Sequence, residues 1–118
     1  MAYIDGFIAA VPTANKQAYH DMALKMNALF KQHGALEIVE NWGVDVPEGK
    51  LTSFTMAVKR EDNESIVFSW IKWPSKQVRD EAWGVLMQNP LMQPGASPAP
   101  FDGKRMIFGG FETMMEIR

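Results

Sequence analysis

The chain has 118 residues and a mass of 13.3 kDa, with 47% hydrophobic and 22% charged residues. This composition is that of an ordinary globular protein, which excludes intrinsic disorder and collagen-like or low-complexity chains. The length suits one hydrophobic core, so we expect a single domain over residues 1–118.

Charge and cysteine content exclude several classes of protein. The formal net charge is −2 and the basic residues are scattered, whereas nucleic acids and anionic membrane surfaces select for a basic stripe. The absence of cysteine excludes disulfides, thiolate nucleophiles and cysteine-bound metals. Since no signal sequence and no long apolar stretch is visible, we expect a soluble cytoplasmic protein with no membrane or nucleic-acid partner.

The opening third of the sequence predicts a strand followed by a long helix. Residues 3–11 are apolar on both strand faces, which predicts a strand covered on two sides. Thr13 or Asn15 can cap the helix, which we expect to continue to His33 with Gly34 at the usual glycine position. The helix presents one continuous apolar stripe, made by Tyr19, Met22, Ala23, Met26, Leu29 and Phe30.

A second strand, a loop and a short helix follow. The strand is predicted over Ala35–Trp42, and the Gly, Pro and Asp content of residues 43–50 predicts a loop. Thr52 can cap a short helix beyond this loop. Strand alternation places Leu36, Ile38, Glu40 and Trp42 on one face, and Glu37, Val39 and Asn41 on the other.

The second half of the chain predicts a strand, a helix, an irregular segment and a last strand. Ser65–Trp73 is rich in β-branched and aromatic residues, which favours a strand. Ser75 caps a helix that runs to about Asn89. Four of the seven prolines fall within Pro90–Pro100, which we expect to be irregular. Met106–Met114 is the last predicted strand.

The order strand, helix, strand, strand, helix, strand predicts an α+β protein with a ferredoxin-like βαββαβ sandwich. Residues 11–13 (Val-Pro-Thr) and 73–75 (Trp-Pro-Ser) mirror each other at the two strand-to-helix junctions, which supports a duplicated unit. Two such units interleave as a four-stranded antiparallel sheet with both helices on one face.

Helices on one side leave the other face of the sheet uncovered in a monomer. Strands on such a sheet should alternate apolar with polar residues, but residues 3–10 and 66–73 are mostly apolar on both faces. Because a large exposed apolar patch marks an interaction site, we predict a homodimer in which two such faces pack together. The alternative is that Pro90–Pro100 of the same chain covers the face.

Four separated segments carry a resemblance to a known family. In chain order they are AYIDGFIAAVPTANKQAY, ENWGVDVPEGK, VFSWIKWP and PFDGKRMIFGGFE. Together they resemble the YbaA-like proteins, an uncharacterised bacterial family placed in the dimeric α/β-barrel group, over nearly the whole chain. The resemblance implies the fold and a face-to-face dimer, but no activity. The departures lie mainly in residues 86–100.

Two carboxylates are candidates for acid–base catalysis. Asp5 and Glu40 each occupy an otherwise apolar strand face. Apolar surroundings disfavour the charged form of a carboxyl group and so suit it to proton transfer. The alternative is a structural role, in which each carboxylate pairs with Arg or Lys or faces water at a strand end.

Aromatic residues and one amide are the candidates for ligand binding. They are Tyr3, Asn41, Trp42, Trp70 and Trp73. Large aromatic side chains suit core packing and dimer contacts, and equally a flat apolar ligand. Asn41 beside Trp42 is similar to the arrangement in cofactor-free oxygenases of the dimeric α/β-barrel group. His20 and His33 lack the spacing of a helical metal pair, so we expect no metal and no cofactor.

Three functions are compatible with these residues. The first is a homodimer that binds a small apolar or aromatic ligand in the cavity between its sheets, with cofactor-free chemistry carried by Asp5 or Glu40. The second is a non-catalytic interaction or regulatory module that meets its partner through Pro90–Pro100. The third, a role with RNA, is disfavoured by the acidic balance of the chain.

Overall fold

The fold is one antiparallel sheet with helices packed against it. A computed structural model describes residues 2–90 and 99–118. In chain order the elements are β1 (Tyr3–Pro12), α1 (Lys16–Gln32), β2 (Glu37–Trp42), α2 (Phe54–Ala57), β3 (Glu64–Trp73), α3 (Lys76–Leu86) and β4 (Ile107–Glu112). Short 3₁₀ turns lie at Thr13–Asn15 and Gly103–Arg105. All four predicted strands and both predicted long helices are thus present.

The strands lie in the order β2-β3-β1-β4, and each neighbouring pair is antiparallel. The two central strands, β1 and β3, are aligned so that Tyr3 is opposite Trp73 and Pro12 is opposite Glu64. The outer strands β2 and β4 are shorter than predicted, at 6 residues each. The prediction of an α+β protein with a four-stranded antiparallel sheet is confirmed.

The start of α1 differs from the prediction. Asn15 occupies the N-cap position, as one of the two predicted residues, but its side chain makes no capping hydrogen bond among the described residues because it binds elsewhere, as does that of Thr13. Thr13 Oγ1 lies 2.7 Å from Ser65 Oγ, and Asn15 Nδ2 donates to the Pro100 carbonyl at 2.8 Å. The end of the helix is as predicted, since Gly34 has a φ of +109°, in the left-handed region that favours glycine.

Serines cap the other two helices. Ser75 caps α3 as predicted, although the helix ends at Leu86, before the predicted end. The cap of α2 is Ser53 rather than Thr52, because Ser53 has the extended backbone of a cap and accepts from the Met56 amide at 3.0 Å. The choice between two adjacent residues as the cap depends on the local backbone geometry, which the amino-acid composition of the segment does not specify.

Two apolar clusters hold α1 and α3 against one face of the sheet. The larger cluster joins Phe30 of α1 and Leu86 of α3 to Ile71 and Trp73 of β3. The second cluster places Tyr19 of α1 over β1 and β3. Each large apolar side chain buried in this way contributes ~1.5–3 kcal/mol to folding. The helical stripe predicted from the sequence is therefore the face of α1 that packs on the sheet.

The segment between β2 and β3 covers one end of the opposite face of the sheet. Val46 and Val58 from this segment pack against Ala10 and Ile66. The sequence predicts the loop but not its position over the sheet. The other predicted cover, Pro90–Pro100, lies largely outside the described residues.

Candidate functional site

The uncovered part of that opposite face is apolar, and we call it the open face. It consists of Ile4, Gly6, Ile8, Phe68, Trp70, Ile107 and Phe111. Phe68 is 44% exposed and Phe111 is 60% exposed, and the shallow cavity over them has a volume of about 480 Å³. A contiguous patch of this kind is typical of an interaction surface.

Two of the predicted ligand-binding residues lie on this side of the sheet. Trp70 Nε1 donates to Glu37 Oε1 at 3.0 Å. Asn41 Nδ2 donates to the Phe68 carbonyl at 3.0 Å. Because the polar groups of Trp70 and Asn41 already have partners within the chain, the open face presents mainly apolar surface.

A second cavity, the helix-side cleft, lies between α1 and the covered face of the sheet. Its volume is about 220 Å³, and its apolar walls are Phe7, Met22, Met26, Phe30, Trp83 and Met106. Tyr19, Asn27 and Glu40 add polar groups, and the same three residues line a neighbouring cavity of about 370 Å³. An apolar cavity with a few polar groups is the usual form of a small-molecule site.

Tyr19 and Glu40 form the polar centre of the helix-side cleft. The Tyr19 hydroxyl donates to Glu40 Oε1 at 2.7 Å. Burial and the adjacent Glu40 charge raise the pKa of Tyr19 above its usual range, so the phenol keeps its proton and remains a donor. Asn27 Nδ2 lies 3.4 Å from Glu40 Oε2, which is long for a hydrogen bond. Glu40 itself is exposed to water at the mouth of the cleft.

Asp5, by contrast, is buried and paired. It is 3% exposed, and its Oδ2 accepts from Nε1 of Trp73 and of Trp83, both at 2.9 Å. Arg79 of α3 donates to Oδ1 through Nε at 3.0 Å, and its Nη2 lies 2.9 Å from the same oxygen as an ion pair. These hydrogen bonds to Asp5 raise the pKa of Arg79, so the guanidinium stays charged. Asp5 is thus paired with an arginine, and Glu40 faces water. These are the two arrangements that a purely structural role predicts for the carboxylates.

The seven predicted site residues do not share one cavity. Asn41 and Trp70 lie on the side of the open face, whereas Tyr3, Asp5, Glu40, Trp42 and Trp73 lie on the helix side. Trp73 is fully buried in the core, and Tyr3 lies beneath the Arg79 guanidinium at 5.3 Å. A cavity between two open faces would contain neither Asp5 nor Glu40, because the sheet separates both from it. The strand register thus separates these carboxylates from the open face, and their part in a ligand site stays a prediction.

The sequence reasoning missed the groups that bind the two carboxylates. Arg79 and Trp83 lie 74 and 78 positions from Asp5 along the chain, so no local pattern joins them. The helical stripe identifies Tyr19 only as a core residue. One signal in the sequence could have identified this pair. Tyr19 brings a hydroxyl to the apolar stripe of α1, and alternation along the strand places Glu40 on the same face as Ile38 and Trp42.

Within residues 2–90 and 99–118, no three His, Asp or Glu side chains converge to form a metal site. His20 is exposed, and its Nδ1 lies 3.4 Å from the neighbouring Asp21 carboxylate. In the same part of the chain, no helix is long and apolar enough to cross a membrane.

The fold and its two surfaces define an α+β protein with a four-stranded antiparallel sheet, one open apolar face and one helix-side cleft. The chain belongs to the family described as "Protein of unknown function (DUF1428)", which matches residues 2–103. "Uncharacterized protein YbaA" of Escherichia coli (strain K12) is 56% identical over 116 residues, which cover 98% of this chain and 99% of that protein. The protein of the same name from Shigella flexneri matches equally. The YbaA-like resemblance of the four sequence segments is confirmed.

Proposed function

We propose that the chain is a single ferredoxin-like domain that forms a homodimer through its open face, as a dimeric α/β barrel. The strand order β2-β3-β1-β4 with α1 and α3 on one face supports the ferredoxin-like arrangement, because two interleaved strand–helix–strand units produce this order. The observation that carries the dimer is the exposure of Phe68 and Phe111 on a contiguous apolar face. A two-fold axis would bury these side chains against the same face of a second copy.

The second part of the proposal is that each subunit binds a small, mostly apolar ligand in the helix-side cleft. Two features support this site: the cavity is apolar, and the Tyr19–Glu40 pair lies at its edge. Tyr19 binds one oxygen of the Glu40 carboxylate, and the other oxygen is accessible to a ligand. This places the ligand beside α1 rather than between the sheets. Glu40 is the residue that would carry out acid–base chemistry at this site without a cofactor. Asp5 is less suited, since its oxygens already accept hydrogen bonds from Arg79, Trp73 and Trp83.

Native mass spectrometry of two phenylalanine variants tests the dimer. Phe68→Asp places a charge on the open face, while Phe108→Asp is a matched control, because Phe108 is opposite Phe7 on the helix side of the same sheet. We expect a folded monomer for Phe68→Asp, and twice the chain mass of 13.3 kDa for the control. A dimer of Phe68→Asp would place the interface elsewhere. Ile71→Asp is unsuitable, since Ile71 is buried on the helix side.

Methionine methyl NMR tests the cleft. Met22, Met26 and Met106 line it, whereas the exposed Met56 and Met114 lie elsewhere. We expect 2-phenylethanol to shift the methyl resonances of the first three and to leave the other two unchanged. If the three cleft resonances stay in place, the cleft takes no such ligand, and the alternative of a non-catalytic interaction or regulatory module is favoured.

A further inference from the structure

Glu40 lies at the edge of an apolar cleft, and its carboxylate has no cationic partner in the described part of the chain. Tyr19 occupies Oε1, and Oε2 has only the long 3.4 Å contact to Asn27. Among the described residues, no Lys, Arg or His side chain lies within ion-pair distance of Glu40. One oxygen therefore remains open to a donor from outside the chain.

The two buried carboxylates of the sheet, Asp5 and Glu64, each form an ion pair with an arginine. Asp5 is paired with Arg79 at 2.9 Å, and Glu64 is paired with Arg105 at 2.6 Å. Each is 3% exposed, so each needs its arginine to offset the loss of water. Glu40 is exposed to water and is paired with no arginine within residues 2–90 and 99–118, which leaves its charge available to a ligand.

Two basic residues line the neighbouring cavity without neutralising Glu40. Lys16 Nζ lies over the Trp42 ring, 5.2 Å from its centroid. His20 is exposed and lies beside the Asp21 carboxylate. Lys16 and His20 thus contact other groups, and neither forms an ion pair with Glu40 among the described residues.

We infer that Glu40 binds the protonated amine of a small ligand whose apolar body occupies the helix-side cleft, that is, an alkyl- or arylalkylamine. This inference rests on the proposed function, since it requires the cleft to take a ligand. An ammonium group has N–H donors and no acceptor, so it complements both the charge and the free lone pairs of Oε2. The protonated Tyr19 fixes Oε1 and thereby orients Oε2. Met22 and Met26 supply adaptable walls for the apolar body.

Three probes that share a phenyl ring and differ in the head group test the inference: 2-phenylethylamine, 2-phenylethanol and phenylacetate. Their dissociation constants are measured near neutral pH from the methyl resonances of Met22, Met26 and Met106. We expect the amine to bind about tenfold or more tightly than the alcohol, because a hydrogen bond to a charged group is stronger than one between neutral groups. The acid should bind most weakly of the three.

Two carboxylate variants separate the role of Glu40 from a general effect of charge. Glu40→Gln should reduce binding of the amine to the level of the alcohol and leave binding of the alcohol unchanged. Glu81→Gln is the control, since Glu81 is exposed on α3, away from the cleft, and its Oε1 accepts from Gln77 Nε2 at 3.2 Å. This control should preserve the preference for the amine.

The outcomes distinguish the inference from the proposal on which it rests. If the amine binds no more tightly than the alcohol, or if Glu40→Gln retains the preference, the inference is wrong while the ligand-binding cleft stands. If none of the three probes shifts the cleft resonances, the cleft and the inference both fail.

Discussion

Replacing Asp5 with Asn perturbs the most highly connected polar group of the core. The carboxylate accepts from Trp73, Trp83 and Arg79 on two oxygens, all within 2.9 to 3.2 Å. Asn has nearly the same shape, but it offers one acceptor oxygen and turns an N–H group toward donors. The variant therefore leaves Arg79 without its charged partner and at least one donor without an acceptor.

The loss in the free energy of unfolding depends on how completely Arg79 is buried. Removing one partner of a fully buried ion pair costs about 3–5 kcal/mol. The Arg79 side chain is 24% exposed and also donates to Asp80 at 2.9 Å, so water and Asp80 compensate in part. We therefore expect Asp5→Asn to lower the free energy of unfolding by about 2–4 kcal/mol, a large fraction of the ~5–15 kcal/mol typical of a domain.

Urea unfolding followed by tryptophan fluorescence measures this loss. All samples need one protein concentration, because the stability of the proposed dimer would depend on it. Asp21→Asn is the control, since this exposed carboxylate of α1 accepts from Gln17 and lies beside His20. In a double-mutant cycle, Asp5→Asn with Arg79→Met should cost less than the sum of the single changes. A wild-type midpoint for Asp5→Asn, or strict additivity, would refute the reasoning.

Three further substitutions test the packing and the second ion pair. Gly110→Ala should lower the free energy of unfolding by about 1–3 kcal/mol, because a Cβ there would lie 2.9 Å from ring carbons of Tyr3. Gly84→Ala, in the open surroundings of α3, should instead raise it by about 0.5–1 kcal/mol, and thermal unfolding compares the two. Hydrogen bonds from Arg105 lower the pKa of Glu64, so the stability it confers is present above the ordinary glutamate pKa of 4.5 and is lost as the pH falls below it. Glu64→Gln should therefore flatten the decline in unfolding free energy on acidification, and an unchanged acid profile would contradict this assignment.

The strands and helices were predictable because their signals are local. The apolar stripe of α1 and the β-branched run of β3 each lie within one element, and Ser75 caps the helix that begins next to it. Such features need no knowledge of the rest of the chain.

The partners of the site residues could not be predicted because they come from distant elements. Asp5 and Glu40 have similar apolar flanks in the sequence, yet Arg79 reaches only Asp5 across the fold. Alternation along a strand defines which residues share a face, but the packing of the helices decides which face is covered. For this reason the side chains of Glu40 and Trp70, both expected at one cavity, point to opposite faces of the sheet, since Glu40 is opposite Ser69 and Trp70 is opposite Val39.

The claim that two open faces pack together is tested most directly by isotope-filtered NOE measurements on a mixture of labelled and unlabelled chains. Methyl groups of Ile8 and Ile107 lie on the open face, while Leu24 and Val85 are exposed on α1 and α3. We predict intermolecular NOEs from the two isoleucines and none from Leu24 or Val85. Intermolecular NOEs confined to the helices, or none at any of the four positions, would contradict the face-to-face dimer.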